Sequence, residues 1–137
     1  MKLATVVLLG VVGCGLSAAQ TSDEYKSCSN AAGTQTALHR CADAELRRAD
    51  RDLKEVLRRL ISMAKDKPEA VVKVNAMERA WMAYRDAFVE ALYPATDKQA
   101  AYGTMFVVEA LLIRARLTRQ QTVELMDLTA QNHPLMK

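Results

Sequence analysis

From Leu38 to Ala64 the apolar residues return every third or fourth position: Leu38, Cys41, Ala42, Leu46, Ala49, Leu53, Val56, Leu57, Leu60, Ile61 and Ala64. That period belongs to one face of an α-helix and to no strand, so the stretch predicts one long amphipathic helix beginning near Thr34. Such a helix cannot stand alone in water, because its apolar stripe has to be covered by another element. Two further stripes are available. Val71, Val74, Met77, Trp81, Tyr84, Phe88 and Leu92 predict a second helix over about 69–92, and Phe106, Val107, Ala110, Leu111, Ala115, Leu117, Leu125 and Leu128 predict a third, reaching about Ala130. No segment alternates with the period of a strand. The expected fold is all-α, a small antiparallel bundle of three long helices joined by short turns, each burying its stripe against the other two. At 137 residues the chain has material for one such core.

The breaks between the stripes carry their own signals. In Lys65-Asp66-Lys67-Pro68 the proline suits the first turn of a helix and Asp66 is the expected N-cap. Pro94 ends the second helix. Thr96-Asp97-Lys98-Gln99 fits a capping box opening a third helical region, which Gly103 interrupts.

Ahead of the helices, residues 1–19 have the layout of a secretory signal peptide: Lys2, an apolar run from Leu3 to Val12, then small residues, with Ser17 and Ala19 placed for cleavage after Ala19. The run is short for a membrane-spanning helix. A competing reading takes Val11-Val12-Gly13-Cys14 as a lipobox, with Cys14 lipidated and the protein tethered to a membrane. The expected location is periplasmic or secreted. Loss of the leader leaves Cys28 and Cys41, and an even pair in an exported chain predicts a disulfide. Residues 20–33, polar and turn-rich, read as an irregular lead-in pinned by that bridge to a helical domain over 34–130, with 131–137 a tail. Removing Lys2 with the leader lowers the formal charge from +3 to +2, too little to imply nucleic acid.

The long first helix carries a dense outer face. Asp43 and Arg47, Asp50 and Lys54, Arg51 and Glu55, and Glu55 and Arg59 sit four apart, the spacing of solvent-exposed ion pairs. The functional alternative is an anion-binding stripe of Arg47, Arg48, Arg51, Arg58 and Arg59; the interleaved acids favour a solvated face. On the second helix, Glu-Arg-Ala-Trp-Met-Ala-Tyr-Arg-Asp-Ala over 78–87 holds the one tryptophan. Trp81 falls among the apolar positions and is expected in the core. Arg85, four residues on, is placed to stack on its ring and pair with a carboxylate at the rim of the core. Trp81, Tyr84, Arg85 and Asp86 are therefore either a structural clasp or a partner-binding cluster.

Catalytic patterns are lacking. His39 and His133 are far apart, and no metal-ligand spacing, phosphate-binding glycine loop or nucleophile motif occurs. A non-enzymatic protein with no cofactor and no bound metal is expected.

The run Cys-Ser-Asn-Ala-Ala-Gly-Thr-Gln-Thr-Ala-Leu-His-Arg-Cys over 28–41 is followed by Ala49, Asp50 and Leu53, then by Trp81, Tyr84, Arg85, Asp86 and Ala87. Together with Leu117, Thr118, Gln121 and Leu125 these resemble the bacterial LprI-like lysozyme-inhibitor family over about 28–128. The resemblance implies an exported protein that docks on lysozyme and blocks its cleft, basic side chains approaching the catalytic carboxylates. Lysozymes of the animal type are themselves strongly basic, so docking would rest on local complementarity. An envelope interaction or assembly module without lysozyme activity is the alternative, and membrane association applies only if Cys14 is lipidated. The chain departs from the family where members carry a second cysteine pair. Val89 and Ile113 stand at the nearest positions, and an aliphatic contact is expected there; Lys54, Leu57 and Gln121 also differ from the usual pattern.

Overall fold

A computed structural model describes residues 21–130; the signal-peptide and Cys14 readings and the tail over 131–137 fall outside them. The helical periodicities translate into helices. α2 spans Gln35–Met63, α3 Pro68–Leu92 and α5 Phe106–Ala130. Two short helices join them, α1 over Asp23–Ala31 and α4 over Lys98–Tyr102, so the all-α architecture has five helices where three were expected. No strand occurs among the described residues.

α1 corrects the expectation of an irregular lead-in. Ser22 accepts a hydrogen bond from the Tyr25 amide, and Asp23 and Glu24 occupy the first turn, where the positive end of a helix favours them. α1 buries no residue, so no apolar stripe marks it in the sequence. The Cys28–Cys41 disulfide, with Cα atoms 5.7 Å apart, fastens it to α2. Cys41 is buried while Cys28 is exposed. Reducing the bridge, which spans 13 positions, is expected to lower stability by about 2–3 kcal/mol through loop entropy in the unfolded chain. Urea midpoints of the oxidised and reduced protein check this, and coincident midpoints would refute it.

The caps also differ in detail. Pro68 occupies the first helical position of α3, so the residue immediately before it, Lys67, becomes the N-cap and Asp66 lies one position too early. At α4 the cap is Asp97, whose carboxylate accepts from the Ala100 amide at 2.9 Å, and not Thr96. α4 stops at Gly103, whose φ of 71° lies in the left-handed region that glycine adopts without a Cβ clash. Tyr93 closes this corner. Its ring packs 5.3 Å from Tyr102 and 5.9 Å from Phe106, and its hydroxyl donates to Glu109 at 2.9 Å.

The pairings give the chain direction. Val74 joins Leu60 in one cluster, while Arg85, three turns later on α3, meets Asp50 on α2. Along α5, Arg85 meets Thr118, Asp86 meets Arg114, and Tyr93 meets Glu109. α3 therefore runs opposite to both neighbours, and α2 and α5 run parallel. α2 and α5 lie against each other most extensively, which small buried residues permit: Ala42 and Ala49 on one helix, Ala115, Thr118 and Thr122 on the other. α3 stands further off on larger side chains. The apolar core gathers Leu53, Val56, Leu57, Leu60, Val74 and Leu125, with Ile61, Met77 and Trp81 packed against it.

Three stripe assignments need correction. Tyr84 is 57% exposed and Leu92 48%, whereas Arg85 and Val89 are buried. A helix turn of 3.6 residues allows the step after Trp81 to be three or four. The step of four wins because Asp50 and Thr118 receive the Arg85 guanidinium. On α5, Leu128 is exposed while Val108, Thr118 and Thr122 are buried. Val89 is buried and Ile113 half-buried, on the stretch of α3 and α5 that the Asp86–Arg114 pair joins.

Candidate functional site

Arg85 is the centre of a polar cluster that touches all three long helices. It is 6% exposed. Its Nη1 donates to Asp50 Oδ1 on α2 at 2.8 Å and to Thr118 Oγ1 on α5 at 3.0 Å. Its Cζ lies 5.2 Å from the centroid of the Trp81 ring, within range of a cation–π attraction. Thr118 Oγ1 uses its own proton on the Arg114 carbonyl at 2.8 Å, which leaves its lone pairs for Arg85. The guanidinium is thus inside the bundle and not at its rim, the position the sequence suggested.

The four residues of the Trp-x-x-Tyr-Arg-Asp stretch divide into two sets. Trp81, half-buried, and Arg85 face inward. Tyr84 points outward with its ring 6.1 Å from Phe88, and Asp86, its side chain 55% exposed, accepts from Arg114 Nε at 3.1 Å. Asp86 also lies 3.7 Å from Arg85 Nε.

A second polar cluster has no counterpart in the sequence reading. Glu45 on α2 is 0% exposed. Its Oε1 accepts from the Ser22 amide at 2.8 Å and Arg119 Nη1 at 2.6 Å. Its Oε2 accepts from Ser22 Oγ at 2.5 Å and Arg48 Nη2 at 2.8 Å. Burial opposes ionisation of this carboxyl, but the Ser22 hydroxyl and amide, Arg48 and Arg119 together outweigh it and hold the pKa below the ordinary value of 4.5. The nearby Tyr25 hydroxyl is pushed up by burial and then by the Glu45 charge. The signal was present in the spacing: Cys41, Glu45, Ala49 and Leu53 form one row at intervals of four, so a carboxylate stands on a core row and requires buried cations. Arg119, which answers it from α5, carries no such mark.

These two clusters engage their charges with one another and leave no nucleophile, base and orienting group converging on a common point. His39 is exposed, at an open groove of about 400 Å³ that it shares with Gln35, Thr36, Thr104, Val107 and Val108. Among the described residues no three His, Cys, Asp or Glu side chains are grouped to hold a metal ion, and no helix is long and apolar enough to cross a membrane. What the arrangement does chemically is fasten helices.

A family model described as Lysozyme inhibitor LprI matches residues 28–125, a span that takes in Cys28, Cys41, Glu45 and the Arg85 cluster. No curated protein and no solved structure matches the chain.

Proposed function

The chain belongs to the LprI lysozyme inhibitor family, and from that premise we propose that it is an exported, non-catalytic binding protein that blocks lysozyme by docking on it. The observation that carries this reading is the division of the Trp-x-x-Tyr-Arg-Asp stretch. Trp81 and Arg85 are engaged inside the bundle and brace α3, while Tyr84 and Asp86 stand on its surface, with Met82 also 42% exposed. A rigid helix that presents an exposed tyrosine has the composition of an interface anchor, since aromatic side chains are enriched at binding surfaces and tyrosine, with few rotatable bonds, loses little entropy on contact.

Lysozyme hydrolysis of cell walls, measured with purified protein from stoichiometric to micromolar excess, tests the reading. Progressive loss of hydrolysis is expected, and Tyr84→Ala should weaken inhibition roughly 30-fold or more, as for an interface hot spot, without moving the melting temperature. Unchanged hydrolysis throughout would remove the lysozyme reading and leave an envelope interaction module.

A further inference from the structure

The outer face of α3 separates its charges by sign. At about 100° per residue, the positions opposite the buried Val74, Arg85 and Val89 form an exposed arc of about 160°. Its cations, Lys73 and Arg79, lie in the first half of the helix, and its anions, Asp86 and Glu90, in the second. Along the same arc run Lys73, Ala76, Ala80, Ala83, Ala87 and Glu90, all exposed and spaced alternately three and four residues apart, which is the spacing of a coiled-coil seam. The order reads the same from both ends with the charge reversed. About a midpoint between Ala80 and Ala83, Ala76 is the counterpart of Ala87 and Lys73 of Glu90. Lys73 and Arg79 form no ion pair among the described residues. Glu90 meets Lys98 through Oε2, and Asp86 meets Arg114 and Arg85 through Oδ1. Both carboxylates are more than half exposed, at 59% and 55%, and each has its other oxygen available for a second cation.

We propose that this face is an interface between two copies of the chain, paired antiparallel about a two-fold axis that passes between Ala80 and Ala83. In such a pair every contact occurs twice with the roles exchanged, so a face suits its own copy only when its two halves are complementary. Here they are. Ala80 of one copy packs on Ala83 of the other and Ala76 on Ala87, Lys73 closes each end against Glu90, and Arg79 reaches Asp86 along one flank. Alanine at the four central positions lets the two backbones approach closely, with no long side chain between them. A parallel pairing would set Lys73 on Lys73 and Glu90 on Glu90. A different protein as partner would leave the common midpoint of the alanines and the charges without a cause. A single helix pair of about 30 Å, from Val72 to Ala91, is at the low end of interface size, so the pair is expected to come apart at micromolar concentration. Tyr84 borders the seam, so a second copy and lysozyme would meet α3 on overlapping ground, but the pairing does not rest on the lysozyme reading.

Sedimentation velocity of the purified protein across the micromolar range tests this without lysozyme. Growth of the sedimenting mass from one chain to two is expected. Lys73→Glu alone and Glu90→Lys alone each set like charges at both ends of the pair and should weaken self-association at least about tenfold. An equimolar mixture of these two variants should recover a dimer with one chain of each kind, because opposite charges then meet at both ends. Ala83→Arg, which puts a long side chain into the centre of the seam, should leave a monomer. All three positions are exposed, so the melting temperatures of the variants should stay near the wild-type value. A single-chain mass at every concentration, a dimer unaffected by Ala83→Arg, or a mixture no more associated than the separate variants would each overturn the proposal.

Discussion

Replacing Glu45 by alanine is expected to lower the unfolding free energy by about 3–5 kcal/mol, since removing one partner of a buried ion pair strands the others. The melting temperature should fall by roughly 10–20 °C. The carboxylate is completely covered, and its donors come from three places in the chain: Ser22 ahead of α1, Arg48 on α2 and Arg119 on α5. The arginines have little freedom to find substitutes, because Arg48 Nε and Arg119 Nε and Nη2 are already buried without a hydrogen-bond partner. Glu45→Gln keeps the shape and one acceptor oxygen but not the charge, and a smaller loss is expected. The pH dependence follows from the same contacts. Because folding holds the Glu45 pKa below its ordinary value of 4.5, its contribution is fully present above that value. It is lost as pH falls through the ordinary range toward the lower folded value. Urea titrations across the acid range should show this limb in the wild-type protein and a shallower one in Glu45→Gln. A wild-type midpoint for Glu45→Ala at neutral pH would show that the cluster contributes nothing.

Arg85→Ala is expected to cost about 3 kcal/mol, at the lower end for a broken buried pair, because the Asp50 side chain it leaves behind is 35% exposed and regains water. Two readouts distinguish the clasp from simple loss of volume. Trp81 emission should change in the folded variant, since the cation 5.2 Å from its ring is gone. Arg85→Lys should recover only part of the stability: an ammonium can donate to Asp50 and Thr118 as the single Nη1 does, but it has no planar group to stack on the indole. Full recovery with lysine would reduce the cluster to a point charge and remove the stacking contribution from the account.

Much of this is legible in the sequence. The apolar row of α2, from Cys41 to Ala64, buries nearly as its period predicts, and Cys28 and Cys41 pair. Trp81 and Arg85 stand together as their spacing of four suggested. The failures share one cause. A one-dimensional pattern ranks residues by polarity, so it assigns Tyr84 to the core side of α3 and gives Glu45 no place on that of α2. Both assignments depend on what the neighbouring helices present. Asp50 and Thr118 make an inward arginine favourable; Arg119, distant in sequence, makes an inward glutamate favourable. α1 escapes the pattern for a related reason. It has a serine cap and acids in its first turn but no stripe to advertise it, and its stability comes from a covalent bond and from Ser22 on Glu45.

The sequence by itself determined three long helices, their breaks and the disulfide, because hydrophobic period, proline and glycine geometry and cysteine pairing act locally or along one chain segment. Only the tertiary structure decided which charges are internal and that Arg85 displaces Tyr84 from the interior. A charged group enters a low-dielectric interior only where its counter-charges and hydrogen-bond partners already converge. That convergence exists once α2, α3 and α5 are side by side.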